Sequence, residues 1–161
     1  MRYLLLAFAL LFSIVASAQV SDVVNLSIEL KGVQTIKVNP LQKNVNLVYD
    51  SQEKYEGGII STQTEHLEIF TTGGGWAVQV SSLAFDFNVD VTIVADPLKP
   101  NPTYEFTPAA LSQTPTDLIT GIRGGRQAFN ITYDNSEGAN KYTELERKIY
   151  TTEVTYTLMT R

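Results

Sequence analysis

At 161 residues, with 12 Lys+Arg against 17 Asp+Glu, one His and no Cys, the chain has room for one domain or at most two small ones. The net charge of −5 argues against nucleic acid or an anionic lipid surface as partner, and the missing cysteines exclude disulfides, zinc–thiolate sites and thiol nucleophiles. A single histidine excludes a multi-histidine metal centre, and the 43% hydrophobic content excludes wholesale disorder.

Met1-Arg2-Tyr3 is a short basic start, Leu4 to Val15 an apolar run, and Ala16-Ser17-Ala18 a small-x-small cleavage pattern. These are the three parts of a secretory signal peptide, expected over residues 1–18. The run falls short of the roughly 20 apolar residues that span a bilayer. Cleavage after Ala18 would leave 143 of the 161 residues as a single domain, 19–161, with no membrane span. The expected location is secreted: periplasmic, extracellular or on the cell surface. Without cysteine, such a domain depends on its core alone.

The mature chain holds 13 Val, 10 Ile, 18 Thr, 7 Tyr and 5 Phe, residue types that favour a pleated, half-buried surface. Their spacing predicts strands. Val24, Leu26, Ile28 and Leu30 alternate with Asn25, Ser27, Glu29 and Lys31, the period of a strand with one buried face. Gly32 breaks the run. Ile36 and Val38 continue it until Pro40, and Val45, Leu47 and Tyr49 form the next. Leu67 and Ile69 alternate with His66 and Glu68, which places His66 on an outward face. Trp76, Val78 and Val80 follow. The longest run is Leu83, Phe85, Phe87, Val89, Val91 and Ile93, expected as one strand. Gln127 to Tyr133 and Val154, Tyr156 and Leu158 complete the set.

Gly57-Gly58, Gly73-Gly74-Gly75, Gly124-Gly125 and Asp134 to Gly138 read as turns. Asp96 to Pro102 carries three prolines and reads as a loop or exposed edge. Pro108 to Gln113 is expected to form one helical turn. Seven to nine short strands with one apolar face each predict an all-β fold, an immunoglobulin-like antiparallel β-sandwich, with a small closed β-barrel as the alternative.

Catalytic chemistry finds little to work with. A serine triad would need His66, and no G-x-S-x-G elbow surrounds any serine. Asp86 and Asp90 lie four residues apart on one strand face, about 13 Å between Cα atoms, beyond the roughly 5–9.5 Å between carboxyl groups used in glycoside hydrolysis. Asp134, Asn135, Ser136 and Glu137 offer oxygen ligands for calcium, but lack the EF-hand spacing and read as a hairpin loop. Gly121 to Arg126 lacks the order of a phosphate loop. Asn25-Leu26-Ser27 and Asn130-Ile131-Thr132 match the glycosylation pattern inside predicted strands and read as chance. The expectation is therefore no enzyme, no catalytic or metal residues and no cofactor. A ligand surface, if present, would draw on Tyr55, Trp76, Tyr104, Arg123 and Arg126, with glycans as partner. The phase of Trp76 also fits a core residue.

The alternating segments Val24 to Leu30 and Ile149 to Leu158 offer strand edges for pairing with another chain. The signal peptide, the N-terminal alternating segment, the acidic Thr/Val-rich strands and the closing Tyr150-Thr151-Thr152-Glu153-Val154-Thr155-Tyr156-Thr157-Leu158 together resemble secreted immunoglobulin-like surface subunits of the fimbrial and spore-coat-U-like type. That resemblance implies donation of an N-terminal segment to a neighbouring subunit, with Val24, Leu26, Ile28 and Leu30 as donor side chains, and recognition of the C-terminal strand around Val154, Tyr156 and Leu158. The chain departs from the pattern in lacking the usual disulfide and in having Thr160, not tyrosine, as the penultimate residue. Pairing of Val24 to Leu30 within its own domain is the competing expectation. The functional expectations are a structural or adhesive surface subunit, partnered by other subunits or by itself through strand edges, or else an extracellular carbohydrate- or ligand-binding module.

Overall fold

The computed structural model describes residues 22–84, 87–94, 104–122 and 124–161. The expected signal peptide, Phe85 and Asp86, the proline-rich segment 96–102 and Arg123 lie outside these residues. The chain divides into two units, Met1–Leu30 and Lys31–Arg161.

In the first unit, residues 22–30 form no strand, in contrast to the sequence expectation. Val24, Leu26, Ile28 and Leu30 are 79–91% exposed. Alternation reports fitness for a strand, but a strand exists only where a ladder partner supplies the hydrogen bonds.

The second unit is a sandwich of two antiparallel sheets. One holds β1 (Gln34–Val38), β2 (Ile60–Thr71), β4 (Asp90–Val94), β6 (Ala109–Ala110) and β8 (Gly125–Asp134), in the order β1-β2-β8-β4-β6. The other holds β3 (Trp76–Ser82), β5 (Tyr104–Phe106), β7 (Thr116–Gly121) and β9 (Val154–Thr160), in the order β5-β7-β3-β9. Each sheet ends in two edge strands, so the barrel alternative falls away, because a closed barrel has none. One short helix, α1 (Gln52–Gly57), precedes β2.

The core forms where the inward phases of the two sheets meet. Leu67, Ile69, Val91, Phe129, Ile131 and Tyr133 from the first sheet pack with Trp76, Val78, Val80, Leu118 and Ile119 from the second. Each such fully buried aliphatic side chain contributes about 1.5–3 kcal/mol relative to exposure. Trp76 is fully buried and packs beside Tyr104 and Phe129, at ring-centroid distances of 5.6 and 6.3 Å. A tryptophan at the centre of the core offers no face to a ligand, so its place in the expected ligand surface is corrected.

Three further expectations change. The run Leu83 to Ile93 is not one strand: β3 ends at Ser82, Leu83 is 58% exposed, and β4 begins at Asp90 in the other sheet. Both sheets bury their apolar residues in the same core, so a chain crossing between them can keep the two-residue period. The helical turn at Pro108 to Gln113 is replaced by β6. There the Leu111 N–H donates to the Val89 carbonyl and the Ser112 carbonyl accepts from the Ser82 N–H, so the backbone bonds run across strands. His66 is 1% exposed, not outward-facing. The β2–β8 register shifts between Gln63 and Leu67, and Glu65 within that bulge has φ of 49°. Across that irregularity β2 has two residues more than β8, and His66 and Leu67, neighbours in the sequence, are both buried.

Candidate functional site

Strand β9 pairs with β3 on one side only, with Val154 opposite Ser82, Tyr156 opposite Val80 and Leu158 opposite Val78. Strands β1-β2-β8-β4 stand where A-B-E-D stand in an immunoglobulin domain, and β3-β9 where C-F stand. Among the described residues no strand lies beyond β9, where strand G of a complete domain would sit.

Beside that edge, within the Lys31–Arg161 unit, runs an open groove of about 1190 Å³. One wall is the segment 43–49, which follows β1 after the turn Pro40–Gln42. The opposite wall is 145–156, leading into β9. Val89, Leu111, Tyr133 and His66 also line it.

The first wall has the side-chain pattern of a strand without the ladder. Val45, Leu47 and Tyr49 are half-buried, and Asn44, Asn46 and Val48 are exposed. Val45 and Leu47 pack against the core. Among the described residues, however, the backbone groups of 43–50 make no backbone–backbone hydrogen bond, and neither do those of 149–152. Extended backbone beside a core needs partners for its N–H and C=O groups, from water or from another strand. The alternation of Val45, Leu47 and Tyr49 marks them as strand-like in the sequence; it carries no sign that the ladder is missing.

At one end of the groove His66 anchors a chain of hydrogen bonds. Its Nδ1 lies 3.1 Å from Gln42 Oε1 and its Nε2 lies 2.9 Å from the Tyr133 hydroxyl, which is 2.8 Å from the Tyr156 hydroxyl. Gln42 Nε2 donates to the Thr64 carbonyl at 2.9 Å, which fixes the amide orientation. Gln42 Oε1 therefore accepts from Nδ1–H, and Nε2 accepts from Tyr133. Burial lowers the His66 pKa and raises those of Tyr133 and Tyr156, so all three groups are favoured in their neutral forms.

At the other end sits an aromatic cluster. The Tyr49 ring is 5.1 Å from Tyr55 and 5.5 Å from Tyr142, and Phe87 is 4.6 Å from Tyr142 and 4.8 Å from Tyr150. The Arg147 guanidinium lies 5.2 Å from the Tyr55 ring centroid. The Tyr49 hydroxyl donates to Asn135 Oδ1, and the Asn135 amide donates to the Asn88 carbonyl and to the Tyr142 hydroxyl. Burial first, and then Tyr142 and Tyr55, push the Tyr49 pKa up to about 12.

Of the expected site residues, the groove brings together Val154, Tyr156 and Tyr55. Leu158 packs against the core further along β9. Tyr104 packs with Trp76, Phe106 and Phe129, apart from Tyr55, and Arg126 is an exposed ion-pair partner of Glu68 at 3.4 Å. The expected ligand surface is thus not assembled from its described members. Asn135 is committed to the aromatic cluster, and among the described residues no group of three or more His, Cys, Asp or Glu is placed to hold a metal. No helix among them is long and apolar enough to cross a membrane. Sequence reasoning missed Gln42, His66 and Tyr142. Only the density of tyrosines at 133, 142, 150 and 156 hinted at a polar-aromatic lining.

No protein-family model matches the chain, and sequence comparison with curated proteins finds no match.

Proposed function

We propose that this chain is an exported, non-enzymatic structural or adhesive surface subunit that assembles with further copies by β-strand addition. The observation that carries the reading is a complementary pair: an exposed apolar segment at Val24 to Leu30, and a groove in which 43–50 on one wall and 149–152 on the other make no backbone–backbone hydrogen bond among the described residues. As strands, the segment's seven residues would span about 20 Å and the six of 44–49 about 17 Å. Its polar face, with Asn25, Ser27 and Glu29, would turn outward while Val24, Leu26, Ile28 and Leu30 entered the groove. A strand from a second copy would satisfy backbone groups on both walls and cover the core between them. The segment outside the sheets then serves as the link, and the open edge of β9 as the acceptor.

The test compares the full chain with a variant carrying Leu26→Asp and Ile28→Asp. Light scattering and unheated denaturing gels should show multimers for the former and monomers for the latter, with assembly of the wild type blocked by an excess of a peptide of residues 22–31. A wild-type protein that stays monomeric at millimolar concentration, or multimers unaffected by the substitutions, would overturn the reading.

A further inference from the structure

We infer that His66 gates the groove by its protonation state, so that the groove takes a strand while the ring is neutral and releases it when the ring is charged. This rests on the strand-addition reading above.

With Gln42 fixed as an acceptor, the protons run from Tyr156 to Tyr133, from Tyr133 to His66 Nε2, and from Nδ1 to Gln42. This chain ties the loop after β1, strand β2 and strand β8 of one sheet to β9 of the other, at the floor of the groove. A proton arriving at Nε2 turns that atom from acceptor to donor. Tyr133 must then turn its own proton toward Tyr156, and Tyr156 must turn its proton out of the chain. The ring gains a positive charge among partners that are all neutral.

Among the described residues no compensating charge is at hand. From β8 the ring faces Tyr133 and from β9 Tyr156, whose rings lie 5.7 and 6.2 Å away. From the loop after β1 it faces Gln42. On β2 itself Glu65 is exposed and Glu68 is paired with Arg126. The charged residues lining the groove, Lys43, Glu146, Arg147, Lys148 and Glu153, make no hydrogen bond or ion pair with the ring among the described contacts. Water entering the open groove is the remaining source of relief, both for the charge and for the displaced Tyr156 proton. A strand seated over the groove removes that water and raises the cost of charging the ring. The strand-bound form therefore holds the proton less tightly than the open form. By linkage, affinity for the strand is full above the ring's pKa in the open form and falls below it, by up to about tenfold per pH unit.

The experiment uses the full chain carrying Leu26→Asp and Ile28→Asp, which disables its own segment at exposed positions, and a fluorescent peptide of residues 22–31. Peptide affinity is measured from pH 4.5 to 8 for this protein and for the same protein with His66→Gln. The histidine is the only one in the chain, so its ring resonances also report its pKa directly with and without peptide. The expected result is a loss of affinity of tenfold or more on acidification, a flat profile across the same range with His66→Gln, and a ring pKa that drops when peptide binds. Saturable binding with the same acid loss in both proteins, or a ring pKa unmoved by peptide, would overturn the gate and leave strand addition standing. Absence of saturable binding at every pH would overturn both.

Discussion

The hydroxyls of Tyr133 and Tyr156 lie 2.8 Å apart and join β8 of one sheet to β9 of the other beneath the groove. Tyr133 also donates to the buried His66 Nε2. Tyr133→Phe leaves that nitrogen without a donor and should destabilise by about 1–3 kcal/mol, whereas Tyr156→Phe removes only the groove-side donor and should cost about 0.5–1.5 kcal/mol. Urea unfolding of the two variants checks the order, and a larger loss in Tyr156→Phe would show that the chain does not end at the groove.

The bulge that turns His66 inward places Glu65 at φ of 49°, a conformation that favours glycine. Glu65→Gly should leave stability unchanged or raise it slightly. Glu65→Val should lower it by about 1–2 kcal/mol, because a β-branched side chain fits that region poorly. Denaturant midpoints check both, and the histidine ring resonance shows whether His66 keeps its place.

Gly121 lies opposite Trp76 in the β3–β7 pair, and a Cβ there would collide with the indole. Gly121→Ala should destabilise by about 1–3 kcal/mol by overpacking. The emission of the one tryptophan in the chain should shift with it. An unchanged spectrum and midpoint would mean that the indole has room to move.

Asp90 stands directly opposite Asp134 across β4 and β8, and its pKa is raised by burial first and then by Glu137 and Asp134. A carboxyl whose folded-state pKa is raised favours the fold when protonated. Its contribution is fully present below the unfolded-state pKa and is lost as pH rises through the folded-state value. Asp90→Asn should therefore raise stability at neutral pH by about 0.2–1 kcal/mol and flatten this part of the acid-range profile. The burial-lowered pKa of His66 works in the opposite sense: its contribution is present above the unfolded-state pKa and is lost as pH falls through the folded-state value. Thermal melts from pH 3 to 8 on Asp90→Asn and His66→Gln separate the two trends.

What the sequence determined by itself was the class of structure and most of the inward faces. Val78, Val80, Val91, Ile131 and Tyr133 occupy the core on the phase their spacing predicted, because side chains on a strand alternate wherever the ladder is regular. It also determined what chemistry was absent from the toolbox, since cysteine and a second histidine cannot be supplied by folding. Tertiary structure decided everything that depends on partners distant in the chain. Val24 to Leu30 and Val45 to Tyr49 carry the same alternation as the β3 residues Trp76, Val78 and Val80, yet only the latter acquire ladder partners. The irregularity between Gln63 and Leu67 reversed His66 from surface to core and gave it Tyr133, 67 positions away, as its partner. Local periodicity reports which face a strand would bury; whether a second strand arrives to pair with it, and where the register slips, is set by contacts that sequence spacing does not encode.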